Sequence, residues 1–135
     1  MLNLAYVGRS LLATAPVEVT RESIAAFRAA LGDTDPGRQD VAPPTFLVSL
    51  TLPAASSLAD DPDFGLDYSR VLHREQRFEP VRPVRAGDRL SAELIVDSIK
   101  SVAGNDILTL RGKVSAQDGP VGTAWTTLFV AGSAS

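Results

Sequence analysis

The sequence is defined first by what it lacks. Its 135 residues include no cysteine and a single histidine. Missing cysteines exclude disulfides and thiolate metal sites, and one histidine makes a zinc or haem site improbable, so no metal and no cofactor are expected. The 13 basic residues are outnumbered by 16 acidic ones and form no contiguous patch, which argues against nucleic-acid binding. The N-terminus has no basic start ahead of its apolar residues, unlike a secretion signal, so a cytoplasmic location is expected.

Charge is absent altogether from residues 42–59, the stretch around which the chain is organised. Its apolar residues fall on every side of a helical wheel, which is typical of a helix buried in protein or lipid. A bilayer needs about 20 apolar residues in a row, and this run is shorter. We therefore predict a buried central helix that begins at Pro43-Pro44. Pro53 is expected to kink that helix or to end it near Leu52.

An amphipathic helix is predicted before this run. Thr20 is a favourable N-cap and Gly32 is a favourable stop. Between them, Ile24, Phe27 and Leu31 recur at helical spacing and are predicted to face the core.

The C-terminal half has the period-two alternation of antiparallel strands. Strands are predicted over 70–79, 88–100, 106–116 and 122–130, with turns at 103–105 and 118–119. In the first strand, Leu72 and Phe78 are expected to face the core together with Gln76, which places His73 on the opposite face. Several hairpins after one buried helix predict an α+β fold in a single domain, 1–135, with a curved antiparallel sheet wrapped around the helix. This is the hot-dog arrangement.

Three sequence motifs carry a resemblance to a known family. They are APPTF at 42–46 before the apolar helix, VLHREQRFEPVRPVRAGDRL at 71–90, and GND at 104–106. Together they resemble the N-terminal MaoC-type dehydratase domain, the hot-dog family of actinobacterial (3R)-hydroxyacyl-thioester dehydratases. In such systems, the resemblance implies, one hot-dog subunit supplies a catalytic Asp and His. A second, degenerate subunit pairs with it and shapes the acyl channel.

The catalytic motif of that family is degenerate in this sequence. The family pattern is Gly-Asp-x-Asn-Pro-x-His, and residues 32–38 read Gly-Asp-Thr-Asp-Pro-Gly-Arg. Asp33 is in place, but Arg38 stands at the histidine position, and an arginine stays protonated and cannot act as a base. No catalytic residue is therefore predicted. Asp33 is interpreted as a turn residue with an Asx-type bond to its own backbone.

Four residues are candidates for substrate binding: Thr45, Phe46, His73 and Gln76. Free N–H groups at a buried helix start bind a thioester oxygen well, and the prolines before Thr45 leave it and Phe46 as donors. His73, the other possible base, is interpreted first as a polar surface or interface residue. Gln76 is predicted to line the dimer interface or the channel.

Two hypotheses for the whole chain follow. In the first it is the channel-forming subunit of a dehydratase that acts on a coenzyme A or acyl-carrier-protein thioester in fatty-acyl or polyketide metabolism. It would form a dimer with itself or with a catalytic MaoC-like subunit. In the second it is a stand-alone acyl-thioester-binding or structural homodimer without catalysis. A thioesterase is disfavoured because residues 42–59 contain no acid to activate water.

Overall fold

The fold is an antiparallel sheet curved around one helix, as seen in a computed structural model that describes residues 2–33, 37 and 40–132. In chain order the elements are β1 (Ser10–Ala13), β2 (Val17–Glu18), α1 (Arg21–Ala30), α2 (Val48–Ser57), β3 (Val71–Pro80), β4 (Arg89–Val102), β5 (Asn105–Ala116) and β6 (Gly119–Val130). The sheet order is β1-β4-β5-β6-β3, and β2 also pairs with β4. The predicted α+β hot-dog fold is confirmed.

The inner face of the sheet follows the predicted alternation. Leu90, Ala92, Leu94 and Val96 of β4 are buried. The turn from β4 to β5 has positive φ at both central positions, Ala103 and Gly104, as a tight two-residue hairpin requires. One edge of the sheet carries the short strands β1 and β2, whereas the other edge is the ten-residue strand β3.

Helix α1 begins and ends as predicted, but its buried face differs. A capping box joins Thr20 to Ser23, and the helix ends at Ala30, before Gly32. The prediction that Leu31 faces the core is wrong, because Leu31 lies beyond the last helical residue and is 61% exposed. Arg28, one turn after Ile24, is buried in its place and is 6% exposed.

Helix α2 is more exposed than predicted. After a 3₁₀ turn over Pro44–Leu47, it continues through Pro53 to Ser57, so of the two outcomes predicted for Pro53 an end near Leu52 is wrong. Proline removes the N–H that would bond to the carbonyl of Ser49, but both residues are exposed, so this end of the helix is open to solvent. One face of α2 packs on the sheet, and the opposite face is open in the single chain. No helix of the described ranges has both the length and the apolarity needed to cross a membrane.

A β-bulge in β3 changes which face each of its side chains occupies. His73 pairs with Leu128 and Glu75 pairs with Thr127, so Arg74 is the additional residue. His73 therefore lies on the inner face of the sheet, as does Gln76, contrary to the predicted opposite faces. Leu72 is 66% exposed, and the prediction that it faces the core is also wrong.

Candidate functional site

The principal cavity is an apolar groove between α1, β2 and α2. Its volume is about 780 Å³, within the range typical of small-molecule sites. The groove is lined by Thr14, Val17, Glu18, Val19, Ser23, Ala26, Phe27, Phe46, Ser49, Leu50, Pro53, Ala54 and Ser57. The exposed face of α2 thus forms one of its walls.

Two aromatic rings lie where the groove meets the core. Phe27 of α1 and Phe46 of the 3₁₀ turn pack edge to face, with ring centroids 5.3 Å apart. Phe46 is 6% exposed and belongs to the core cluster that also contains Leu47 and Leu90. The pair therefore separates the groove from the packed interior and limits how far a chain-like ligand enters.

The groove contains hydroxyl groups, but each one already bonds to the backbone. Thr14 accepts a hydrogen bond from the Ala92 N–H, Ser23 donates to the Thr20 carbonyl, Ser49 to the Phe46 carbonyl, and Ser57 to the Ala54 carbonyl. These bonds use part of the hydrogen-bonding capacity of each hydroxyl and fix its orientation. The lining suits an alkyl chain without polar substituents.

The segment at the degenerate motif is fixed by a buried arginine. Arg28 Nη1 donates to Asp33 Oδ2 at 2.9 Å, and Nε donates to the Val41 carbonyl at 3.0 Å. The Asp33 N–H donates to the Arg28 carbonyl at 2.8 Å. Arg28 thus bonds to a residue on each side of the segment 34–40, Asp33 before it and Val41 after it. Arg38 lies outside the described residues, and the Asx-type bond of Asp33 stays a prediction.

Sequence reasoning missed this ion pair, although a signal existed. Arg28 falls four residues after Ile24, on the helix face that packs inward, and five residues before Asp33. A charged residue in such a position is rarely buried without a partner, and Asp33 was the nearest carboxylate along the chain.

A second ion-pair network stabilises the corner beside β2. Arg82 donates to both oxygens of Asp88, at 2.9 and 3.1 Å, and to Asp118 at 2.8 Å. The hydrogen bonds from Arg82 hold the pKa of the Asp88 carboxyl below its usual value, against the opposing effect of burial. Backbone bonds from Val19 to Asp88 and from Gly87 to Val19 then connect this corner to the groove wall.

A second, smaller cavity of about 420 Å³ lies on the other side of Leu47. It is lined by Arg28, Arg82 and the proline-containing segments 41–44 and 80–84. Both guanidinium groups are paired with carboxylates, so neither is free to pair with a charged ligand. The larger groove is the better candidate site.

The predicted substrate-binding residues separate into two places. Phe46 lines the groove, and Thr45 lies beside it on the exposed start of the 3₁₀ turn. His73 and Gln76 lie instead on the inner face of β3. The Gln76 side-chain carbonyl accepts a hydrogen bond from Thr126 at 2.9 Å, while its buried Nε2 has no partner within the described part of the chain. The structure therefore does not bring all four together.

Comparisons with known proteins agree with this architecture. The family described as "FAS1-like, dehydratase domain region" matches residues 5–121. A UPF0336 protein of Streptomyces coelicolor is 49% identical over 140 residues, covering 94% of this chain and 93% of the relative. A UPF0336 protein of Thermobifida fusca is 38% identical over 146 residues, covering 98% and 96%.

Solved structures show the same likeness. A MaoC-like dehydratase superposes with a TM-score of 0.83 at 27% identity, covering 96% of this chain and 43% of that longer one. The C-terminally truncated HadBC (3R-hydroxyacyl-ACP dehydratase) complex of Mycobacterium tuberculosis gives a TM-score of 0.76 at 28% identity, covering 92% and 96%. The resemblance to MaoC-type dehydratases is confirmed.

Proposed function

The chain belongs to the FAS1-like dehydratase-region family, and we propose that it is a degenerate member, the channel-forming subunit of a (3R)-hydroxyacyl-thioester dehydratase. In this proposal the single domain 1–135 supplies no acid or base. A second hot-dog subunit with an intact Asp and His carries out the proton transfers, and this chain holds the acyl group.

The Arg28–Asp33 ion pair is the observation that carries this proposal. Dehydration of a 3-hydroxyacyl thioester needs a base for the C2 proton and an acid for the departing hydroxyl. Asp33 occupies the carboxylate position of the family motif, but it serves as counterion to a guanidinium that is itself buried. Arg38 replaces the histidine that would complete the pair. This arrangement supports a structural role for the segment.

The groove supports the channel role. It is apolar and bounded by the Phe27–Phe46 pair, and its hydroxyls already bond to the backbone. An acyl chain fits this chemistry. In the proposal Phe46 contacts the acyl chain, Thr45 lies beside Phe46, and the thioester carrier is coenzyme A or an acyl carrier protein.

The free edge of the sheet supports assembly with a partner. Strand β3 has ten residues, and Leu72 to Glu75 are all exposed. Proteins rarely leave a long strand edge uncovered. The similarity to the HadBC complex favours a second hot-dog subunit as the partner, with His73 and Gln76 near the boundary.

Co-expression with a MaoC-like hot-dog subunit that has an intact Asp and His tests the proposal. The expected result is a stable complex that dehydrates 3-hydroxyacyl thioesters. Replacing the partner's catalytic Asp by Asn should abolish turnover. Asp33→Asn in this chain should leave kcat unchanged, because the amide oxygen still accepts the hydrogen bond from Arg28. Loss of kcat in Asp33→Asn, with an unchanged melting temperature, would refute the degenerate assignment. A homodimer of 14.3 kDa chains that binds acyl thioesters but accepts no partner would favour the stand-alone alternative.

A further inference from the structure

We propose that Glu18 makes the groove selective for the charge at the head of the acyl chain, so that it admits a chain that ends in an uncharged thioester group and disfavours a free fatty acid. This inference rests on the proposed function, because it assumes that the groove holds an acyl chain. It adds a specificity-determining residue and a substrate class to that function.

Glu18 is the one ionisable side chain among the described residues that line the groove. It lies on β2, beside Val17, which is 55% exposed, so both residues are at the rim rather than the base. Every other polar side chain of the lining is a hydroxyl with a backbone partner. Glu18 therefore determines the sign of the charge that a ligand head group meets.

The Glu18 carboxylate has no cation to neutralise it within the described residues. In the β2–β4 pairing Glu18 lies opposite Arg89, yet no ion pair joins the two side chains. Two other arginines of this region are occupied, Arg28 by Asp33 and Arg82 by Asp88 and Asp118. None of the described lining residues carries a guanidinium or ammonium group that could receive the carboxylate of a free fatty acid.

Repulsion between two carboxylates at such a rim is moderate because both remain partly hydrated. With the effective dielectric of a protein surface, a free acid should bind about five- to tenfold more weakly than a neutral thioester of equal chain length. The difference should shrink at high ionic strength, since the Debye length falls to about 3 Å in 1 M salt.

Calorimetric titration of the full chain with three ten-carbon ligands tests the proposal. These are decanoate, S-decanoyl-N-acetylcysteamine and decylamine, which carry negative, zero and positive charge. The expected order of affinity is amine, then thioester, then acid. Glu18→Gln should remove most of the difference between thioester and acid, and Glu18→Lys should reverse the order.

Glu22→Gln is the matched control, because Glu22 is also an exposed carboxylate but lies on α1 outside the lining. It should leave the order unchanged. The charge selection would be overturned if the three ligands bound with equal affinity, or if Glu18→Lys did not alter their order of affinity. Either result would still be compatible with the proposed channel role. Failure of all three ligands to bind would instead overturn the channel role itself, and with it this inference.

Discussion

Arg28 Nη1 lies 2.9 Å from Asp33 Oδ2, and this pair joins the end of α1 to the segment that resembles a catalytic loop. The guanidinium is almost fully buried, whereas the Asp33 side chain is 27% exposed. A buried arginine requires a fixed counterion. The carboxylate at the catalytic position of the family motif is thus the counterion of Arg28 in this chain.

The first prediction concerns the energy of that pair. Arg28→Met should lower the free energy of unfolding by about 2–4 kcal/mol, because Asp33 and the Val41 carbonyl lose their donor. Asp33→Leu leaves the guanidinium unpaired and should cost a similar amount. In the double variant the losses should be less than additive, since neither partner remains unpaired. Urea unfolding of the four proteins measures the coupling, and strictly additive losses would show that the pair is energetically unimportant.

A second prediction concerns the aromatic boundary of the groove. Phe27→Leu removes the edge-to-face contact with Phe46 and should extend the groove toward the core. Affinity should therefore shift toward longer acyl thioesters, at a stability cost of about 1–2 kcal/mol for the half-buried ring. Titration with thioesters of eight to sixteen carbons measures the shift, with Tyr68→Leu as control for loss of an exposed ring. An unchanged length preference would place the acyl chain elsewhere.

The contact between α2 and the sheet gives a third prediction. A methyl group added at Gly112 would lie 2.7 Å from Thr51 Cγ2, too close for any real contact. Thr51 is β-branched and 1% exposed, so it has little freedom to move. Gly112→Ala should lower the free energy of unfolding by about 1–3 kcal/mol, and adding Thr51→Ala should restore much of it. If the second substitution restores nothing in thermal unfolding, α2 does not pack on β5 as described.

The ion pair between Arg82 and Asp88 predicts that the stability of the fold depends on pH. The pKa of Asp88 is lowered in the folded chain, chiefly by hydrogen bonds from Arg82, so the carboxylate stabilises the fold above the pKa it has when unfolded, about 3.9. That stabilisation is lost as the pH falls below about 4 and through the folded pKa. Urea midpoints at pH 7 and pH 3 should therefore differ less in Asp88→Asn than in the wild type. If the urea midpoint changed equally between pH 7 and pH 3 in both proteins, Asp88 would not be the source of the pH dependence. Asp60→Asn, which alters an exposed carboxylate, is the control.

Much of the fold was predictable because sheet periodicity is a strong local signal. Leu90, Ala92, Leu94 and Val96 recur at every second position, and the charge-free run 42–59 identified the helix that the sheet surrounds. The faces of β3 were not predictable, since a bulge at Arg74 leaves no trace in an alternating pattern. The sequence also left open whether α2 continues through Pro53, because only the folded structure shows that Ser49 and Pro53 face solvent.

The candidate site was predictable only in part. Phe46 was predicted as a free backbone donor at the helix start, but its N–H donates to the Pro43 carbonyl, and it is as a lining residue that Phe46 belongs to the groove. Glu18 and Phe27 were not predicted as site residues, because they join the groove through tertiary packing between α1, β2 and α2. The spacing of Arg28 and Asp33 was a local signal for their ion pair, whereas the bond from Arg28 to the Val41 carbonyl depends on tertiary packing.

Hydration of a crotonyl-type enoyl thioester by the purified chain alone, followed by absorbance, tests the central claim most directly. With Asp33 paired to Arg28 and Arg38 unable to take a proton, the rate should stay at background, since general acid–base catalysis typically contributes about 10²–10⁴-fold. Addition of a hot-dog subunit with an intact Asp and His should raise it. Robust turnover by the chain alone, abolished by His73→Ala, would contradict the account and identify His73 as the base.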